Sequence, residues 1–320
     1  MSTAVVTDYD FPDLDIEHDV LDGVAALRAA DASTPAAVIE AAEGAEALLV
    51  QYAPITREVF AALDDLRVVA RYGIGVDNVD LDAATDHGVY VTNVPDYCLD
   101  EVAEHALALL LTCERNTARY AADLADGGWD WKVGRPMDRL RGKTLGLVGF
   151  GAIPRRLAAK VAGLGFDVLA HDPHVDEGTF AEHGVEGVGL DDLLDRSDVV
   201  SAHAPLTPET EGMLDAEAFA RMKDDATLVN TARGGLVDVD ALEAALAAGD
   251  LGAAGLDVLP TEPPGEERRS LLARDDVVAT PHVAWYSEDS MRELRRRTAG
   301  AARAALRGDV PEHVVNDEVA

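Results

Sequence analysis

Short runs of β-branched and apolar residues alternate with alanine-rich helical runs along nearly all of the 320 residues. Strands separated by helices cannot pair as tight hairpins. They line up in parallel, and helices cover both faces of the sheet. The pattern predicts strands at 3–7, 46–51, 67–71 and 89–93, with helical stretches near 20–30, 35–42 and 56–63. A second series predicts strands at 144–149, 167–171, 198–202, 227–230, 253–257 and 277–280. Between the two series lies a predicted connecting helix at about 100–118. Asp100 is its expected cap, with Glu101 and Glu104 in the first turn, where the helix dipole favours negative charge. A last helix, about 287–307, carries Arg292, Arg295, Arg296, Arg297 and Arg303 and reads as a solvated face making ion pairs to an acidic surface.

Length alone points to about two domains at roughly 150 residues each. Crossings near 100 and 286 give one domain from 1–100 and 287–320 and another from 101–286, with a hinge expected where the chain passes between them. The segment Gly127-Gly128-Trp129-Asp130-Trp131 reads as a loop or arm, whose tryptophans pack either on a second subunit or on the chain's own core.

The net charge is −33, with only four lysines: Lys132, Lys143, Lys160 and Lys223. The acids are spread along the chain, which implies a heavily hydrated surface needing salt to screen its self-repulsion. A salt-rich cytoplasm is the leading explanation, and an unusually acidic protein of ordinary cytoplasm the alternative. Nucleic acid and anionic membranes are poor partners at this charge. Cys98 and Cys113 show neither metal-ligand spacing nor a disulfide framework, which fits a reducing compartment and no bound metal. No signal peptide is expected, because a strand pattern starts at Ala4 with no basic region before it. The apolar run at 106–111 falls far short of the ~20 residues that span a bilayer.

The strand Thr144-Leu145-Gly146-Leu147-Val148 runs into Gly149-Phe150-Gly151-Ala152-Ile153-Pro154 and a helix. The first glycine permits the turn, and the second lets backbone approach a pyrophosphate at the helix N-terminus. Pro154 stands where a third glycine is usual, and proline is tolerated in a first helical turn. The next strand ends at Asp172, at the spacing of an acid that accepts hydrogen bonds from ribose hydroxyls. Asp172 also repels a 2′-phosphate, so NAD is expected over NADP, although Arg155 and Arg156 are cations nearby in sequence.

Arg233, Glu262 and His282 each follow a predicted strand of this same series. Ligands of doubly wound sheets lie beyond the carboxyl ends of the strands. A cation, an acid and an imidazole beside a dinucleotide suit hydride transfer to a small keto acid. His203 also lies past a strand end and is the alternative imidazole.

The segments Asn230-Thr231-Ala232-Arg233-Gly234-Gly235, Asp257-Val258-Leu259-Pro260-Thr261-Glu262-Pro263 and Thr280-Pro281-His282-Val283-Ala284-Trp285, in this order, resemble the D-isomer-specific 2-hydroxyacid dehydrogenases. Arg71-Tyr72-Gly73-Ile74-Gly75-Val76-Asp77-Asn78-Val79-Asp80, Val102-Ala103-Glu104-His105 and His203-Ala204-Pro205-Leu206-Thr207 extend the likeness over nearly the whole chain. Ala284-Trp285-Tyr286-Ser287 is most similar to the branch containing the animal C-terminal-binding-protein corepressors.

The resemblance implies two doubly wound parallel-sheet α/β domains, a Rossmann domain binding NAD and a smaller flavodoxin-like substrate domain. It implies that Arg233 holds the substrate carboxylate, that His282 exchanges the proton and that Glu262 hydrogen-bonds His282 and stabilises its imidazolium. Cofactor contacts are implied for Gly149, Gly151, Ala152, Ile153, Asp172, Ala204, Pro205, Thr210, Thr231, Ala232, Arg233, Asp257 and His282. Asp257 and the Ala232 carbonyl are expected at the nicotinamide amide. Substrate contacts are implied for Arg71, the amides of Ile74 and Gly75, Arg233 and Trp285, with core packing the alternative for Trp285 and a surface ion pair for Arg71. A cytoplasmic homodimer acting on a small 2-keto or 2-hydroxy acid is expected.

Three departures from the family pattern limit what carries over. Ala152 stands where arginine is frequent, Ile74 replaces a small polar residue of the corepressor branch, and Val102 replaces its threonine. Two other functions compete: an NAD-sensing interaction protein like the corepressors, and a phosphoglycerate dehydrogenase. The first is expected to carry a disordered tail past the core. The second needs extra cations, of which Arg71 is the obvious one, and no regulatory domain is expected after the core.

Overall fold

The computed structural model describes residues 1–319, which form two compact units: 1–97 with 287–319, and Cys98–Tyr286. The first unit holds strands β1 (Ser2–Val6), β2 (Ala25–Ala29), β3 (Ala47–Val50), β4 (Val68–Arg71) and β5 (Tyr90–Thr92). They form one parallel sheet in the order β2-β1-β3-β4-β5. The order reverses between β1 and β3, the flavodoxin-like arrangement. Helices α1 (Asp15–Leu21), α2 (Pro35–Ala41), α3 (Arg57–Ala62) and α4 (Leu81–Asp86) connect the strands, and a C-terminal helix (Glu288–Arg307) completes the unit. The core packs Val5, Leu48, Val50, Phe60, Val69 and Val91 against these helices.

The second unit has seven parallel strands: β6 (Thr144–Val148), β7 (Asp167–His171), β8 (Glu186–Gly187), β9 (Val199–Ala202), β10 (Thr227–Asn230), β11 (Ala253–Leu256) and β12 (Val277–Ala279). Their order is β12-β11-β10-β9-β6-β7-β8, a Rossmann sheet with its switch point between β6 and β9. Its helices are α5 (Leu99–Glu114), α6 (Thr117–Ala125), α7 (Ala152–Val161), α8 (Glu177–Glu182), α9 (Leu190–Arg196), α10 (Ala216–Arg221), α11 (Val239–Ala248) and α12 (Arg269–Leu272). Strands β9 and β10 are buried along their whole length, as parallel strands covered on both faces must be.

Several local expectations need correction. The helix predicted near 20–30 is α1 ending at Leu21, followed by the edge strand β2. Ala25-Ala26-Leu27-Arg28-Ala29 has helix-forming composition, but pairing with β1 along five residues overrides it. Strand β8 is only two residues long and leaves no periodic signal.

The connecting helix is also two helices, not one. The chain breaks at Asn116, which takes a left-handed backbone (φ 52°), and α6 continues from there. Asp100 does not cap α5. Cys98 holds that position, and the Asp100 carboxylate instead meets Lys160 at 3.0 Å and Arg156 at 3.3 Å.

The arginines of the C-terminal helix are not all solvated. Arg295 is buried and donates to Glu17 at 2.8 Å and to Asp13 at 2.9 Å, with Glu17 itself fully buried. Arg292 and Arg297 do pair at the surface, with Asp289 and with Asp96 and Glu293. Trp129 and Trp131 are 90% and 67% exposed, so they do not cover the chain's own core. Among the described residues no helix is long and apolar enough to cross a membrane, and no cluster of side chains is arranged to hold a metal ion.

Candidate active site

In the second unit, β6 ends in the glycine turn. Gly149 has φ 93°, and a Cβ there would lie 2.8 Å from the Ala204 nitrogen, so only glycine fits both the turn and the neighbouring 203–204 backbone. Gly151 caps α7 without a side-chain hydrogen bond, leaving the Ala152 and Ile153 amides for an anion. Asp172, at the end of β7, accepts from Phe150 N at 2.8 Å and His174 N at 2.9 Å. Those two bonds aim the carboxylate at the glycine turn. Arg155 donates to the Phe150 carbonyl at 2.9 Å and lies over the Phe150 ring. Thr210 donates to the Pro205 carbonyl at 2.6 Å and accepts from Thr207 N, which closes the 204–210 loop on itself.

After β10, the buried Asn230 templates the next loop. Its side chain accepts from Ala232 N at 3.0 Å and donates to the Arg233 carbonyl at 2.9 Å. Arg233 Nη1 donates to the Ala232 carbonyl at 2.8 Å. The Thr231 hydroxyl is buried with no hydrogen-bond partner among the described residues. An orphaned hydroxyl is costly unless something meets it, and a polar ligand seated on this loop would do so. With the open amides of α7 and the aimed Asp172, this fits a dinucleotide.

Glu262 and His282 come together after β11 and β12. Glu262 Oε1 accepts from Leu259 N at 2.9 Å, and Oε2 lies 2.6 Å from His282 Nδ1. A carboxylate only accepts, so Nδ1 carries the proton of that bond and Nε2 is the atom left for exchange. Burial pushes the Glu262 carboxyl up, but the hydrogen bonds from His282 and Leu259 and the charges of His282 and Arg233 outweigh it, leaving the pKa below the ordinary value. His282 has φ 51°, an uncommon conformation for a residue with a side chain. Strain of this kind persists where surrounding bonds over-determine it. Here the His282 amide donates to the Asp257 carbonyl at 2.8 Å. The buried Asp257 carboxylate accepts from Thr280 Oγ1 at 2.5 Å, Val283 N at 2.9 Å and Ala284 N at 2.9 Å. Asp257 therefore holds the loop carrying His282, a task its motif did not announce.

His203 donates to or accepts from Ser201 Oγ at 2.9 Å, and burial pushes its pKa down to about 4. It stays neutral near pH 7 and is a poor proton donor there. Trp285 is half-buried, with its ring edge-on to Tyr286 at 5.6 Å.

In the first unit, Arg71 ends β4 and its guanidinium lies over Gly73. The Ile74 carbonyl accepts from Asn93 at 2.7 Å, and Gly75 follows it in the same loop. Asp8, past the end of β1, accepts from the amides of Gln51, Tyr52 and Ala53. The sequence reading missed this clamp. Its only signal is an acid directly after a predicted strand.

Residues 107–284, more than half of the chain, match the family model for the D-isomer specific 2-hydroxyacid dehydrogenase, NAD binding domain. The chain belongs to the D-isomer specific 2-hydroxyacid dehydrogenase family. Members of this family are NAD-dependent oxidoreductases acting on the CH–OH group of 2-hydroxy acids. The chain is 42% identical over 302 residues to the D-3-phosphoglycerate dehydrogenase of Mycobacterium leprae, covering 92% of this chain and 57% of that protein. It thus spans little more than half the length of that relative. It is 41% identical over 241 residues to the hydroxypyruvate reductase of Thermotoga maritima, covering 75% of this chain and 78% of the other. Among solved structures, D-lactate dehydrogenase from Aquifex aeolicus, complexed with NAD and lactic acid, superposes with a TM-score of 0.88 at 29% identity over 96% of both chains. These relatives carry the names of dehydrogenases and a reductase and do not single out the corepressor-like branch.

Proposed function

We propose that this 2-hydroxyacid dehydrogenase family member reversibly reduces a small 2-keto acid. His282 is its proton donor and Arg233 its carboxylate anchor. The observation that carries the reading is the 2.6 Å contact between His282 Nδ1 and Glu262, which leaves Nε2 to exchange a proton. Bound NADH supplies the hydride. The open amides at Ala152 and Ile153 hold its pyrophosphate, Asp172 its ribose and the Thr231 hydroxyl its nicotinamide end. Arg233 grips the substrate carboxylate with two parallel hydrogen bonds and orients the keto group. His282 Nε2 gives its proton to the keto oxygen as charge develops there, and Glu262 stabilises the imidazolium beforehand. In oxidation the proton moves the other way.

Lys cannot reproduce the two-pronged geometry of arginine. Arg233→Lys is therefore expected to raise KM for a 2-keto acid at least tenfold and to lower kcat, by analogy with losing about 2–5 kcal/mol at a buried charge pair. NADH affinity, read by fluorescence titration, should stay within about twofold of wild type. An unchanged KM would remove Arg233 from the substrate. NADPH should support slower turnover than NADH, because Asp172 faces the site of the 2′-phosphate. Equal rates would count against that role.

A second reading, D-3-phosphoglycerate as substrate, is favoured by the 42% identity to the mycobacterial enzyme. A homodimer joined through the exposed Trp129 and Trp131 completes the proposal. Solution mass measurement checks it, with Trp131→Ser expected to shift the mass towards a monomer.

A further inference from the structure

We infer that His105 is a positioning residue for His282, acting through Thr280 and Asp257. The inference rests on the reading of His282 as the proton donor. His105 Nε2 lies 2.9 Å from Thr280 Oγ1, and Thr280 Oγ1 donates its only proton to Asp257 Oδ1 at 2.5 Å. A hydroxyl whose proton is committed can only accept from another partner, so His105 Nε2 must carry a proton. It lies 3.5 Å from Asp257 Oδ1 as well, and that partial positive charge supports the buried carboxylate.

Asp257 in turn accepts from the amides of Val283 and Ala284, the two residues that follow His282. The His282 amide is tied to the Asp257 backbone carbonyl. The His282 backbone is thus held on both sides in its left-handed conformation by a chain that starts on α5. The seat of α5 makes this contact attainable. A Cβ on Gly255 would come within 3.0 Å of Leu109 Cβ, so the bare glycine lets the helix settle onto β11, one turn away from His105. Lys160 pairs with Asp100 and Glu104 on the same helix, so α5 is also pinned to α7.

The test uses the 320-residue chain with four variants: His105→Leu, His105→Gln, Thr280→Val and His105→Leu with Thr280→Val. Amide hydrogen exchange by NMR without ligands is the first readout. His105→Leu is expected to speed exchange at Val283 and Ala284 about tenfold, the size of one lost hydrogen bond, and to leave the amides of β6 and β9 unchanged. With NADH and a 2-keto acid, kcat is expected to fall about tenfold while KM and the NADH dissociation constant hold, since the substrate anchors are untouched. His105→Gln restores a donor and should recover most of both effects. The double variant should do no worse than the more impaired single one, because the two residues act in one chain.

Unchanged exchange at Val283 and Ala284 in His105→Leu overturns the inference, as does loss of protection throughout the unit, which marks a general packing role. Equal defects in the Leu and Gln variants also overturn it. Absence of 2-keto-acid turnover in the wild type strikes the proposed function instead, and the exchange readout still decides whether His105 holds the loop.

Discussion

At the residue scale, Glu262 and His282 are set apart from the other acids and histidines by how their hydrogen bonds are used. Glu262 accepts from both Leu259 N and His282, and its pKa stays below the ordinary value despite burial. It therefore remains a carboxylate across the working pH range and favours the charged imidazole beside it. Reduction needs that charged form. Glu262→Gln removes the supporting charge, so the alkaline limb of the reduction profile should move to lower pH. A limb that stays in place would separate Glu262 from His282. His203 illustrates the opposite environment: burial disfavours its charged form, so its proton is not available for transfer at neutral pH. The Glu262–His282 pair was legible in the sequence because each residue follows a strand and sits in a short motif of its own. The link from His105 to Thr280 was not, because 175 residues separate the partners and neither motif names the other.

At the level of the elements, contiguous apolar runs such as 227–230 and 199–202 announce buried parallel strands directly. Ala25–Ala29 does not, because its composition favours helix and only its place beside β1 makes it a strand. The break at Asn116 was equally silent, lacking both proline and glycine. The C-terminal helix carries the largest misreading. Its arginines look alike in sequence, yet Arg295 is 2% exposed and meets a wholly buried Glu17. Glu17 also accepts from the Tyr72 hydroxyl at 3.1 Å, tying this helix and α1 to the loop that follows β4.

Removing one partner of a buried ion pair typically costs about 3–5 kcal/mol, whereas replacing both with apolar groups costs much less. Arg295→Met should therefore destabilise the protein by about 3–5 kcal/mol in equilibrium urea unfolding. Arg295→Met combined with Glu17→Leu should be the milder change. A single substitution costing under about 1 kcal/mol would show that the pair does not hold this unit together.

Over the whole molecule, a net charge of −33 sets the conditions under which the site operates. Surface acids repel one another over roughly 10 Å at 0.1 M salt, and higher salt shortens that reach. Several of them are already paired with arginine, as in Arg196 with Glu186 and Asp192, and Arg221 with Asp191 and Asp195. The excess remains, so the native state should gain stability and activity as salt rises. The most direct test of the account is NADH oxidation by a panel of small 2-keto acids, run from low to molar potassium chloride, in wild type and His282→Ala. The wild type is predicted to turn over at least one keto acid, faster as salt rises, and His282→Ala to lose on the order of 10²–10⁴-fold in turnover with NADH binding retained. NADH binding with no keto-acid reduction at any salt concentration would contradict the account and favour an NAD-sensing interaction protein.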